Sequence, residues 1–161
     1  MSDVNPVNYK IHLEPDLSRF KFKGIVAISL EADEPVHEIS LNILELAIEN
    51  CSVKRGGSRV DCPFTLDPKK EEMIISLPEK MGGKLDLNIE YEGEINDKMA
   101  GFYRSKYVLG GDEKYIAVSQ FEESDARRAF PCFDHPLNKA TFDVEMIIDE
   151  KLVAISNGPI T

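Results

Sequence analysis

"VNYKIHLEPDLSRFKFKGIVAISLEA", residues 7–32, alternates apolar and polar side chains almost without a break. Tyr9, Ile11 and Leu13 fall on one face of an extended chain and Lys10, His12 and Glu14 on the other, the period-two signature of a half-buried strand. Phe20, Phe22, Val26, Ile28 and Leu30 make a second, longer row opposite Arg19, Lys21, Lys23 and Ser29. The turn formers of "EPDLS" separate the two rows, so the stretch predicts a β-hairpin.

The same alternation continues outward. Ile39, Leu41 and Ile43 form one row, and Leu46 and Ile48 another. Cys51 and Val53 resume on the opposite parity after Asn50, which predicts a bulge or bend there. "SRVDCPFTLDP" and "EEMIISLPE" read as short strands around a Pro-Lys-Lys turn, and Leu85, Leu87, Ile89 and Tyr91 as a further strand after Gly82 and Gly83. "GFYRSKY" (101–107) and "KYIAVSQ" (114–120) flank a Gly-Gly turn. Ala140, Phe142, Val144, Met146 and Ile148 predict a long final strand, with "KLVAISN" (151–157) pairing back on it. Many short strands, frequent turns and almost no helical period indicate an all-β fold: an antiparallel, saddle-like β-sandwich with one short helix near residues 125–130.

At 161 residues the chain has the size of one domain with one sizeable core. Its composition, 42% hydrophobic and 30% charged, is that of a globular protein, and no apolar run is long enough to span a membrane. "MSDVNPVNYKIHLEP" lacks the basic and apolar segments of a secretory signal, so the sequence reads as cytoplasmic. A net charge of −10 with no basic stripe excludes nucleic acid and anionic membrane as partners. "KRGGSR" (54–59) reads as a solvated turn. Cys51, Cys62 and Cys132 are too few and too irregularly spaced for a disulfide framework or a cysteine zinc site, and read as reduced, partly buried thiols. Cys51 and Cys62 remain able to pair in an exported protein.

Motifs of catalysis are missing. There is no H-E-x-x-H pair, G-x-S-x-G elbow, P-loop or G-x-G-x-x-G turn. His12, His37 and His135 are scattered, so neither a metal set nor a catalytic set is expected in this chain. From composition and periodicity alone it is an acidic β-domain with one unusual loop and helix.

That loop carries the most specific signal. "SQFEESDARRAFPCFDHPLNKATFDV" (119–144) resembles, in one ungapped register, the segment "TQFE-x-x-DARRAFPC-x-DEP-x-x-KA-x-F" of the zinc-dependent aminopeptidases of the gluzincin family. "GFYRSKY" is similar to that family's "GFYRS-x-Y" strand, "ISNGP" to its "SNMP" turn with Gly158 in place of methionine, and residues 7–32 to its opening hairpin. The likeness covers essentially the whole chain.

The resemblance implies that residues 1–161 are the N-terminal β-saddle domain of a larger multidomain aminopeptidase, with the catalytic domain absent from this chain. It implies zinc in the intact enzyme, bound by H-E-x-x-H and a downstream glutamate of that next domain, and none in this fragment, which is expected to be inactive alone. The implied partners are peptide substrates, held by their free amino terminus, and the protein's own catalytic domain. Glu122 matches the family's glutamate that binds the substrate amino group, and Gln120 the glutamine that lines the pocket for the first side chain. On a strand these two share a face.

Beside them, Ser124 is expected to cap a short helix starting at Asp125, and Pro131 to stop it. Arg127 and Arg128 read as structural forks that pair carboxylates and fasten the helix and loop against the catalytic domain. Phe130 and Phe133 are expected to anchor the helix by burial, at ~2 kcal/mol each. Asp134 and Lys139 read as scaffold. The alternative reading is a non-catalytic β-sandwich binding or scaffold domain of a relative lacking the zinc site. A leukotriene-hydrolase-like branch is disfavoured, because that branch carries Q-x-Q where this chain has "QFE".

Overall fold

A computed structural model describes residues 4–55 and 57–160. Nine strands follow in order: β1 Val4–Asp16, β2 Lys21–Asn42, β3 Leu46–Arg55, β4 Ser58–Asp61, β5 Phe64–Asp67, β6 Glu72–Glu94, β7 Gly101–Leu109, β8 Asp112–Gln120 and β9 Thr141–Met146. Seven form one sheet in the order β4-β3-β6-β2-β1-β9, with β5 also on β6, while β7 and β8 form a separate two-stranded sheet. The sheets do not close into a barrel. The all-β sandwich expected from the alternation is therefore what the chain forms, with one 3-10 turn, Ala126–Arg128, as its helical element among the described residues.

The β1–β2 hairpin runs in unbroken antiparallel register from Asn8↔Ser29 to Asp16↔Lys21. Its alternating rows meet in the core: Tyr9, Ile11, Phe22, Val26 and Ile28 are all buried. The register shift predicted at Asn50 lies between Ile48 and Asn50, where β3 pairs with β6. Arg55 faces Ser58 across the "KRGGSR" turn, whose Gly56 lies outside the described residues.

Two segments that read as separate strands are continuous. β2 and β6 pair from Lys21↔Glu94 through Asn42↔Glu72, interrupted only by register shifts between Ala32 and Glu38. Across that interruption the buried parity of β2 changes from even positions (Leu30, Ala32) to odd (Ile39, Leu41), because an extra residue in one strand reverses which side chains face inward. Both halves still contribute to one apolar cluster.

Close cross-strand packing fixes this register. Gly24 pairs with Tyr91, and Phe22 with Gly93. A Cβ on Gly24 would clash with the Tyr91 ring at Cζ and Cε2, and one on Gly93 with the Phe22 ring at Cζ and Cε1. Each aromatic ring thus covers the glycine opposite, and the two rings meet edge to face at 6.3 Å.

The last strand departs from the sequence reading in two ways. β9 ends at Met146 and pairs parallel to β1, from Asn8↔Thr141 to Leu13↔Met146. Parallel pairing follows from the long crossover, residues 121–140, which returns the chain to the β1 edge in the direction β1 already runs. "KLVAISN" forms no strand: Val153 and Ile155 are exposed, and Leu152 N and Lys151 N donate to Asp149 O and Oδ1 within a turn. Without a strand edge to pair with, its alternation has nothing to bury against.

Replacing Gly24 by alanine forces a Cβ into a buried ring and should lower stability by about 2 kcal/mol. Gly158→Ala, with no atom within 4 Å of the added Cβ, should leave it unchanged. Urea unfolding of the two variants checks both outcomes.

Candidate functional site

β7 and β8 carry the conspicuous segment to its place. A buried amide fixes the start of β7: Asn96 Nδ2 donates to the carbonyls of Ala100 at 2.9 Å and Phe102 at 3.1 Å, while its Oδ1 accepts from Lys98 N at 2.7 Å. Phe102 packs edge to face on Phe22 at 5.3 Å, and Arg104 lies over the Phe20 ring at 4.4 Å. Gly101, the first residue of β7, is the register partner of Gln120, the last of β8.

Beyond Gln120 the chain leaves the sheet. Phe121 turns inward and meets Phe130 edge to face at 5.7 Å, while Gln120 and Glu122 on either side are exposed. Glu122 therefore sits two residues beyond β8, in a turn that Asp125 N closes by donating to Phe121 O at 2.9 Å; the Glu122–Glu123 peptide is cis. The strand-parity argument for a shared face ends at Gln120. What holds is that the inward Phe121 leaves its two neighbours facing solvent. Among the described residues, Glu122 has no hydrogen-bond or ion-pair partner.

The expected helix is a single 3-10 turn. Its N-cap is Asp125, without a side-chain cap bond, so Ser124 does not cap it. Other forces hold the turn. Arg127, 13% exposed, donates from Nε to Asp134 Oδ2 at 2.9 Å and from Nη1 to Glu71 Oε2 at 2.8 Å. Arg128 donates from Nε to Asp125 Oδ1 at 2.8 Å and from Nη1 to Glu45 Oε2 at 2.6 Å, and the other oxygen of Glu45 accepts from Lys98 Nζ at 2.7 Å. Burial alone would lower both guanidinium pKa values, but their carboxylate partners raise them. Lys98, with Arg128, holds the Glu45 carboxyl below the usual carboxylate range.

The forks pair carboxylates as expected, and their outer arms reach loops of the same sheet. Glu45 lies between β2 and β3 and Glu71 between β5 and β6, both with left-handed backbones at φ 58° and 56°. Neither glutamate nor Lys98 is distinguishable in the sequence from an ordinary surface charge. The left-handed backbone was the missing signal, because it carries no residue signature when glycine is not used.

Below the turn the segment is stapled to the core. Asn42 and Cys132 exchange backbone hydrogen bonds at 2.7 and 3.2 Å, Asp134 N donates to Asn42 Oδ1 at 3.0 Å, and Phe133 N to the Tyr9 hydroxyl at 3.1 Å. Phe130 is buried and Phe133 partly so, packed on the same core. Burial pushes the Cys132 thiol and the Tyr9 hydroxyl well above their ordinary pKa values. Asp134 is thus scaffold. Lys139 is exposed, His135 accepts from Leu137 N within its own turn, and His12 faces Glu145 of β9 at 3.3 Å. All three cysteines are free and buried.

Among the described residues, no group of three histidine, cysteine or acidic side chains could hold a metal ion, and no helix is long and apolar enough to cross a membrane. What the site offers chemically is the exposed carboxylate of Glu122, with that of Glu123 next to it, mounted on a braced turn beside an exposed amide. Such a carboxylate can accept charge-assisted hydrogen bonds from a cation.

Removing the Arg127 fork leaves Asp134, 10% exposed, without its cation. Arg127→Leu should cost about 3 kcal/mol. The surface pair Arg19–Asp16 is the comparison: Arg19→Leu should give no resolvable shift in the same thermal or urea melt.

Comparison with known proteins bears on the same segment. A family model described as the Peptidase M1 N-terminal domain matches residues 5–161. Among curated relatives, the puromycin-sensitive aminopeptidase of Caenorhabditis elegans is 38% identical over 158 residues, covering 96% of this chain and 17% of that protein. Aminopeptidase 2 of Candida albicans is 37% identical over 159 residues, covering 98% and 17%. Aminopeptidase M1 of Arabidopsis thaliana is 38% identical over 164 residues, covering 96% and 18%. The chain therefore spans less than a fifth of the length of these relatives.

Proposed function

The chain belongs to the M1 peptidase family as its N-terminal domain, and from that premise we propose that it is the substrate-anchoring part of a zinc-dependent aminopeptidase. In this reading Glu122 binds the free α-amino group of a peptide, and Gln120 lines the pocket for the first side chain. The observation that carries it is the Glu122 carboxylate: exposed, without a cation among the described residues, and set on a turn braced by two partly buried arginine forks. A scaffold domain has no need of such a carboxylate, whereas an exopeptidase must distinguish a terminal ammonium from an internal amide. One compensating negative charge does this, since a hydrogen bond to a charged group contributes ~1.5–3 kcal/mol.

Zinc does not fit the described residues of this chain, where His12 and His135 lie in unrelated positions and no ligand cluster forms. In the intact enzyme the metal would polarise the scissile carbonyl. This domain's own part is to bind and orient. Peptides with a free amino terminus and the enzyme's catalytic domain are the partners in this reading. The apolar side chains exposed along and after β9, among them Phe142, Val144 and Val153, support a protein surface against them. A reducing compartment such as the cytoplasm accords with the three free thiols.

In the intact enzyme, Glu122→Ala should lower kcat/KM on aminoacyl substrates about a hundredfold, the worth of a charged hydrogen bond. Because Glu122 is exposed and unpartnered, the melting temperature should stay put; unchanged kinetics would overturn the assignment. The 161-residue chain alone should hydrolyse no peptide and hold no zinc, as checked by peptidase assay and metal analysis. Activity or one equivalent of zinc would place the chemistry here instead.

A further inference from the structure

Resting on the reading of Glu122 as the amino-terminus anchor, we propose that Arg128 is a positioning residue for that recognition. It acts through Asp125 to hold the Glu122 turn in fixed relation to Gln120.

Four observations carry this. The turn bearing Glu122 closes on Asp125, whose N–H donates to Phe121 O at 2.9 Å. Arg128 grips that same Asp125 twice, by Nε to Oδ1 at 2.8 Å and by its own backbone N–H to Asp125 O at 3.1 Å. The second arm of the guanidinium reaches Glu45, which Lys98 holds from the other side. And the stem of Arg128 lies on the strand that pairs with Gln120: a Cβ on Gly101, the register partner of Gln120, would stand 2.5 Å from Arg128 Cβ and 3.2 Å from Asp125 O.

Gly101 has φ 69°, so the backbone at this position is shaped around the arginine. Gln120 is thus referenced to Arg128 through Gly101, and Glu122 through Asp125. The two proposed substrate contacts are set relative to each other by one side chain. Only a planar fork reaches Asp125 and Glu45 at once; an ammonium retains the charge but not the two-sided geometry. A displacement of about 1 Å at a substrate-binding group is enough to cost orders of magnitude in rate.

The test uses the intact enzyme and two inhibitors that differ only in the α-amino group, leucine hydroxamate and isocaproyl hydroxamate. Arg128→Lys should weaken the amine-bearing inhibitor about tenfold or more, the scale of one misplaced charged hydrogen bond, and leave the desamino compound unchanged. It should raise KM more than it lowers kcat on an aminoacyl anilide. Glu122→Gln should abolish the same discrimination, and the double variant should lose no more than Glu122→Gln alone. Equal weakening of both inhibitors by Arg128→Lys, or full rescue by lysine, would overturn the positioning role while leaving the Glu122 reading intact. Discrimination that survives Glu122→Gln would overturn the anchor reading itself, and this proposal with it. Should Arg128→Lys fail to fold, Glu45→Gln removes the charge of the outer arm at a half-exposed side chain and should produce the same selective loss, smaller in size; no selective loss there counts against the proposal.

Discussion

The antiparallel pairing of β2 with β6 is the constraint on which the rest of this domain depends. β1 is hung on β2, and β3 and β5 on β6; β4 and β9 follow at one remove. A slip of one residue would turn Val26, Ile28, Leu87 and Ile89 out to solvent together, and the ring-over-glycine pairs Tyr91 on Gly24 and Phe22 on Gly93 oppose such a slip sterically. The ribbon also places the site. Its end is the pair Asn42↔Glu72, so the loops leaving β2 and entering β6 lie side by side, joined by Ile43 N to Glu71 O at 2.8 Å. Glu45 and Glu71, the outer carboxylates of the two arginine forks, stand on those loops. The bracing of the Glu122 turn is thus an extension of sheet register.

Much of the fold could be read from the sequence, because period-two alternation is local. Tyr9, Ile11 and Leu13, or Leu85, Leu87 and Ile89, declare their inward face without reference to any other strand. The bulge at Asn50 was legible for the same reason, as a change of parity. Alternation carries no information about partners. It could not say that Ile39 and Leu41 continue the strand of Ile28 and Leu30, that β9 runs parallel to β1, or that "KLVAISN" pairs with nothing among the described residues.

The candidate site was legible only by resemblance, and its support was hidden. Gln120 and Glu122 stand out in register with a family, not by any physical property of their own. The outer partners of Arg127 and Arg128, Glu71 and Glu45, come from 56 and 83 positions upstream, which no local pattern reveals. Once those contacts are known, the density of charge in "EESDARRAFPCFD" divides cleanly. Asp125, Arg127, Arg128 and Asp134 pair with one another and with the two loop glutamates in a partly buried lattice, while Glu122 and Glu123 stand outside it, exposed.

That long-range lattice has a direction in time. Glu45, Glu71, Lys98 and Gly101 all precede Arg127 and Arg128 in the chain, and so does every strand of the sheet except β9. On a ribosome, the loop glutamates that receive the outer arms of the two guanidinium groups are made before the arginines, and Asp134, which receives the inner arm of Arg127, after them. The turn carrying Glu122 is therefore not a purely local motif: it rests on loops of strands that precede it, and an excised peptide of the same sequence would lack Glu45, Glu71 and Lys98, which brace it.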